Sequence, residues 1–461
     1  MIALCALLLL STAAPLPAVT GGSSSPTGSS GSSGTTGSSG TTGATTIAPL
    51  AKLDAKAAAA MKRLGTASGA YIVDLSTGQV LYDDAGATPR YPASVEKLYT
   101  LSAALSLFGA GGRLETSIYG TGAVDAAGVY TGNLYLRGGG DPTFGDAQFI
   151  KRWYGVGTSA GSLAAALIAA THITRVDGAI VGDESYFDSR RGGPATGYAP
   201  DPNLVGELSA LSFDRGALGA QRNPANHAAW EMIGALARDG VVVSGGHSNG
   251  RTPAGATLLR SVASPPMSTL VSLTAGPSDD LFAEMILKAL GARFGGAGTT
   301  AGGAAVVQRF LAKLGLTAQI ADGSGLSRGD LSTPEQVVAL LRDLSPGGVP
   351  SLAVAGADLR AALPIVGRTG TLVTRMVGTP AAGTCEAKTG TLSNASDLAG
   401  WCDGGRYAFA LLMNNVDVTA AQKAQDKIVE ALVAYGRAVG ATPASKSSSN
   451  PASSRTPTPS R

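Results

Sequence analysis

Pro92-Ala93-Ser94-Val95-Glu96-Lys97-Leu98 is the stretch on which the reading of this chain turns. A proline at the start of a helix loses nothing, because the first-turn N–H groups have no partner there, and this helix is expected to run from Pro92 through Leu107. Ser94 falls in its first turn, and Lys97, three residues on, projects from the same face. A serine hydroxyl is a poor nucleophile until a base takes its proton. A lysine one turn away can be that base once burial or a neighbouring cation weakens its hold on its own proton. The N–H groups of the helix start also favour a developing anion. Against this stands chance, since a Ser-x-x-Lys spacing arises about once by accident in a chain of this kind.

Two further stretches add to it. Lys388-Thr389-Gly390-Thr391 lies in a strand pattern. Gly390 leaves room for a substrate backbone at the strand edge, while Lys388 and the threonine hydroxyls can meet a carboxylate. A near-copy, Arg368-Thr369-Gly370-Thr371-Leu372, reads as a turn, because Pro364 and Gly367 break the strand pattern ahead of it. Ser278-Asp279-Asp280 opens a helix ending near Leu290, and by itself it reads as an N-cap serine followed by first-turn acids.

Outward from these motifs, Leu50 to Leu64 is a helical pattern, and 70–74 and 78–82 are strands joined by a turn at Ser76-Thr77-Gly78. From Leu114 the texture changes to short strand-like runs between glycine turns. Helical patterns return at 268–275 and 281–290, and the chain closes with two strands around Lys388 and a helix over 420–439. Strands at both ends with helices between predict an α+β fold. Its first part is 47–113 and its second 264–441, separated by a mostly β insertion over 114–263. Residues 20–46 are nearly all Gly, Ser and Thr and read as a tether, and 442–461 as a Pro/Ser/Thr-rich tail.

The 461 residues are 44% hydrophobic and 15% charged, with net charge +3 and both signs interspersed, which argues against a nucleic-acid partner. No cofactor motif is evident. The three histidines, His172, His227 and His247, lack metal-ligand spacing. Residues 1–19 read as an export signal: an apolar run from Ile2 to Leu10, too short to span a bilayer, then small residues suited to cleavage, although no Lys or Arg precedes it. Cys5 would leave with the signal. Cys385 and Cys402 then flank a hairpin turn near Ser393-Asn394, either as a cross-strand disulfide or as two separate buried thiols. Gly-x-Ser-x-Gly occurs at 157–161 and 246–250, but neither has the strand–elbow–helix setting with a later histidine that such a nucleophile needs.

Taken in order, Ser94-x-x-Lys97, Ser278-x-Asp280 and Lys388-Thr-Gly resemble the three motifs of penicillin-recognising serine enzymes. The wide gap between the first two is similar to the D-alanyl-D-alanine carboxypeptidase/endopeptidase family, the low-molecular-mass class C penicillin-binding proteins. The resemblance covers roughly Leu50 to Arg437. It includes Gly138-Gly139-Gly140-Asp141-Pro142-Thr143, Asp322-Gly323-Ser324-Gly325-Leu326-Ser327-Arg328 and the run Leu363 to Leu372. It implies a transpeptidase-like domain interrupted by inserted domains, acting on peptidoglycan stem peptides and acylated by β-lactams. It also implies roles: Ser94 as nucleophile, Lys97 as base, Ser278 as proton relay, and Lys388 with Thr389, Gly390 and Thr391 on the substrate carboxylate. Arg328, and on a looser match Asp201, would bind a diaminopimelate side chain. One position departs from the family, which usually has asparagine where this chain has Asp280. A carboxylate cannot donate the amide bonds of asparagine, and close to Lys97 it would hold that ammonium charged. A β-lactamase-like hydrolase and a catalytically weak peptidoglycan- or penicillin-binding module are the rival readings.

Overall fold

Residues 395–402 and 407–414 are buried without a break, as strands covered on both faces must be. The computed structural model describes residues 41–218 and 223–440. The signal over 1–19 and the tail over 442–461 lie outside the described residues, as does most of the tether over 20–46. The first helix, α1 (Thr41–Met61), begins inside the stretch expected to be tether. Among the described residues, those from Ala44 onward form one compact unit.

β1 (Ser68–Asp74) and β2 (Gln79–Asp84) form the expected hairpin, and a 3-10 turn over Ala93–Glu96 leads into α2 (Lys97–Phe108). The insertion comprises β3 (Glu115–Gly120), β4 (Ala123–Val124), β5 (Val129–Thr131), β6 (Leu134–Gly138), α3 (Ala147–Trp153), α4 (Ala160–Thr171), β7 (Arg175–Asp177) and β8 (Ile180–Asp183), then α5 (Asp214–Leu218), α6 (Pro224–Arg238), β9 (Val242–Val243), β10 (His247–Asn249) and β11 (Thr257–Ala263). The chain continues through α7 (Met267–Ala275), α8 (Asp280–Phe294), α9 (Thr300–Lys313), α10 (Pro334–Asp343) and α11 (Ala353–Ala362). It closes with β12 (Cys385–Leu392), β13 (Ala395–Cys402), β14 (Tyr407–Asn414) and α12 (Val418–Gly440). β14 is one strand more than the pair expected around Lys388.

The main sheet is antiparallel in the order β12-β13-β14-β1-β2. β14 shows why it is buried on both sides. Ala408, Ala410 and Leu412 pack with α2 and α7 to α11, while Phe409, Leu411 and Met413 pack with α1 and α12. Period-two alternation thus divides one strand between two cores. Cys385 stands opposite Cys402 in the β12–β13 register, and the two are joined as a disulfide.

The expectation of a mostly β insertion is corrected. α4 and α6 run 12 and 15 residues, whereas the longest insertion strand, β11, has 7. Two sheets, β10-β8-β6-β3-β11 and β4-β5-β7-β9, contain parallel neighbours, which need crossover segments, and α4 lies in the crossover from β6 to β8. The Ala- and Leu-rich run of α4 is apolar on nearly every face, so it carries little helical period for a sequence reading to detect.

Candidate active site

Ser94 sits in the 3-10 turn, and Lys97 is the first residue of α2. Lys97 is fully buried, and its Nζ donates to Ser94 Oγ at 3.0 Å, to Asp280 Oδ1 at 2.6 Å and to the Ser324 carbonyl at 2.6 Å. Three acceptors match the three N–H bonds of an ammonium. Asp280 opens α8, where the helix dipole favours a carboxylate. The departure noted in the second motif is therefore a direct ion pair with the lysine beside Ser94.

The second motif needs a correction. Asp279, not Ser278, caps α8, its carboxylate accepting from Phe282 N at 3.0 Å. Arg215 grips the same carboxylate with Nη1 at 2.7 Å and Nη2 at 3.2 Å, and donates to the carbonyls of Leu204 and Val205. Ser278 has φ +66°, a left-handed conformation that costs a non-glycine residue energy. That turn brings Ser278 Oγ to Lys388 Nζ, which donates to it at 2.7 Å. Lys388 is fully buried in β12. Burial, reinforced by the charge of Lys97, pushes its ammonium well below the usual lysine range, while Asp280 pulls the other way.

β12 is an edge strand. Its outer side meets 364–366 near Cys385–Ala387, and beyond Ala387 it carries no backbone pairing among the described residues. Gly390 has a second reason to be glycine that its sequence context hides: a Cβ there would stand 2.8 Å from Pro92 O and 3.1 Å from Ser94 N. The strand closes directly on the turn that carries Ser94. Thr391 is exposed, and the Thr389 hydroxyl meets Thr371 Oγ1 at 2.8 Å. The near-copy motif is indeed a turn (Gly370–Leu372), and Thr371 N also bonds the Gly276 carbonyl, tying the second motif to the third.

Arg328 is exposed, lies 4.7 Å over the Tyr91 ring, and donates to Asn394 Oδ1 at 2.6 Å at the tip of the β12–β13 hairpin. Asp201 is buried and caps its own turn, accepting from Asn203 N and Nδ2 at 2.9 Å. No hydrogen bond or ion pair joins Asp201 to Arg328 among the described residues. Of the Gly-x-Ser-x-Gly serines, Ser159 caps α4 and Ser248 lies in the exposed strand β10.

Residues 50–203 and 201–435 match the D-Ala-D-Ala carboxypeptidase 3 (S13) family. This chain belongs to that family. It is 30% identical to a D-alanyl-D-alanine carboxypeptidase of Actinomadura sp. (strain R39), over 80% of this chain and 82% of the relative. Its fold is similar to penicillin binding protein 4 from Haemophilus influenzae, with TM-score 0.68 and 21% identity over 81% of this chain and 97% of the other. A second structure of that protein, complexed with a β-lactam, has TM-score 0.63. A predatory peptidoglycan endopeptidase from Bdellovibrio bacteriovorus matches with TM-score 0.51 and 18% identity, over 79% of this chain and 92% of the other. The reaction class is that of a serine-type D-Ala-D-Ala carboxypeptidase.

In this carboxypeptidase the turn that presents Ser324 to Lys97 hangs on two buried acids, Asp322 within the stretch quoted above and Glu284, which the sequence reading passed over. Asp322 accepts from the N–H groups of Ser324, Gly325 and Ser327, and Glu284 Oε1 from those of Gly323 (2.8 Å) and Ser324 (2.9 Å). Gly325 has φ +81°, and a Cβ on it would fall 1.9 Å from Ala93 O, so only glycine fits where this turn meets the turn of Ser94. Burial pushes the Glu284 carboxyl up to about 8, and Asp322 adds to the effect. Glu96 and Asp330 are also raised, chiefly by burial and then by Asp322. Glu284 lies on α8, one turn after Asp280, a helical spacing that could have marked it.

The folded Glu284 keeps its proton up to about pH 8, while the unfolded chain gives it up near 4.5. The stability from this group is therefore complete below about pH 4.5 and is lost as pH rises through about 8. Glu284→Gln keeps the oxygen that accepts the two N–H groups and removes the titration. It is expected to flatten the decline of Tm between mildly acidic and mildly alkaline pH. A calorimetric Tm–pH slope identical to that of the wild type would contradict this.

Proposed function

We propose that this chain is an exported D,D-carboxypeptidase that trims peptidoglycan stem peptides through an acyl-enzyme at Ser94. The reading rests on one convergence: Ser94 Oγ lies 3.0 Å from the buried Lys97 Nζ, and the Lys388–Ser278 pair lies on the strand and turn beside them. Lys97 first passes one ammonium proton to the Asp280 carboxylate paired with it and then, as the neutral amine, takes the Ser94 proton as Oγ attacks the carbonyl between two D-alanines. The backbone N–H groups of Ser94 and Thr391 receive the oxyanion. Ser278 passes a proton to the departing amine. Lys388, whose ammonium burial and the Lys97 charge hold well below the usual lysine range, can release and regain that proton. The open outer edge of β12 from Thr389 onward suits an extended peptide, with Lys388, Thr389, Gly390 and Thr391 at its terminal carboxylate. Arg328, on the rim, offers a guanidinium to the free end of a diaminopimelate side chain, with Asp201 on the turn that Arg215 ties to Asp279. Asp280 aims Lys97 where asparagine would donate to substrate. Water then hydrolyses the acyl-enzyme.

A β-lactam would acylate the same serine, in keeping with the β-lactam complex of the Haemophilus influenzae protein. Cleavage of a cross-link is the same acyl transfer with a longer leaving group, and the Bdellovibrio bacteriovorus neighbour is an endopeptidase. A cell-wall substrate agrees with the export signal read over 1–19. Among the described residues no helix is long and apolar enough to cross a membrane.

The test is mass-spectrometric, with a stem pentapeptide ending in D-Ala-D-Ala and a cross-linked muropeptide dimer as separate substrates. Release of D-alanine from the first is expected, and loss of the second would add the endopeptidase activity. If folded protein takes up benzylpenicillin yet processes neither, the binding-module reading replaces this one.

A further inference from the structure

Lys97 opens α2 and Asp280 opens α8, so both helices begin at the catalytic cleft. Both end in a phenylalanine, Phe108 and Phe294, whose rings meet edge to face at 4.9 Å. At 1.5 Å per residue those ends lie about 16 to 21 Å from the cleft. Between them, β3 and the end of β6 there is a cavity of about 580 Å³. Arg113, Arg137 and Arg293 line it, with Glu115 its one acidic lining residue, and Tyr119 and Tyr186 contribute rings.

We propose that this cavity is a second, non-catalytic site for a ligand bearing carboxylate or phosphate groups on a sugar or similar ringed scaffold. A guanidinium carries five N–H donors in a fork that matches an oxyanion, yet this trio is almost unused by the protein. Arg113 spends one donor on the Ser264 carbonyl at 2.5 Å. Arg137 Nε lies 3.9 Å from Asp183, whose carboxylate already accepts the N–H groups of Ser185 and Thr252. Arg293 has no hydrogen bond or ion pair among the described residues. The dipole at the end of α8 accounts for one cation there, Arg293, but not for Arg113 on a loop or Arg137 on a strand. Three like charges around one concavity repel each other until an anion enters, and such a cleft focuses its field on anions. The flanking rings offer flat faces for stacking. The site lies where the insertion leaves the transpeptidase-like part, so a ligand there would touch both.

The inference does not depend on hydrolysis at Ser94, and the experiment keeps the two apart. Full-length protein is first treated with benzylpenicillin, with the adduct read by intact mass, and then titrated calorimetrically with two probes: an acidic disaccharide-peptide and a disaccharide phosphate. Binding of at least one probe is expected to survive acylation, to weaken with added salt, and to fall at least about tenfold in Arg293→Glu. Arg113→Gln serves as the second variant, and melting curves check that both are folded. The probe that binds distinguishes a carboxylate source from a phosphate source. Failure of both probes to bind, binding lost on acylation, or equal binding by folded Arg293→Glu and Arg113→Gln would overturn the proposal. If no adduct forms, the acylation reading fails, and the comparison of variants still decides this one.

Discussion

Ser94→Ala is expected to abolish formation of a benzylpenicillin adduct and to lower D-alanine release by about 10⁴-fold or more, the scale seen when a serine nucleophile is removed. The fold should survive. The change deletes one hydroxyl and one hydrogen bond, and such a bond contributes about 1 kcal/mol. Lys97 keeps Asp280 and the Ser324 carbonyl as partners. Intact mass after exposure to the drug reads the result directly: one adduct on the wild type and none on the variant. An adduct that persists on Ser94→Ala would move the nucleophile elsewhere, with Ser278, already held by Lys388, the first residue to examine.

Lys97→Met is the second large effect, and it separates chemistry from stability. Loss of a general base costs about 10²- to 10⁴-fold in turnover, so acylation should slow on that scale. The variant should also melt earlier, because Asp280 and the Ser324 carbonyl lose a buried partner. Adding Asp280→Asn removes the stranded charge, so the double variant should recover much of the Tm but none of the rate. If the double variant regained acylation, Lys97 would be a structural cation and not the base. If Lys97→Met acylated normally, the same conclusion would follow at once.

How far the site could be read from residues alone depended on how local each feature was. Ser94 and Lys97 are one turn apart across the continuous junction of the 3-10 turn with α2, and so their pairing follows from helical geometry. The Cys385–Cys402 bridge also follows from register, because equal distances from a hairpin turn place two residues opposite each other. The insertion was harder. Its short strands and glycine turns gave a β texture, and the apolar run of α4 concealed one of its longest elements. At the second motif the sequence order favoured Ser278 as cap. Tertiary contacts decided otherwise, because Arg215, more than sixty residues away, holds Asp279 at the cap and leaves Ser278 in a left-handed turn facing Lys388.

The three motifs and their order pointed to the family, because a candidate nucleophile, base and cationic strand are recognisable by residue type and spacing. Their convergence was decided only in three dimensions. Lys97 meets Asp280 across 183 residues and Ser324 across 227, and Lys388 reaches Ser278 across 110. The Glu284 and Asp322 cradle, the second role of Gly390 and the arginine-lined cavity share that origin. Each depends on which side chains burial forces together from distant segments, and burial is a property of the packed core that no spacing along the chain encodes.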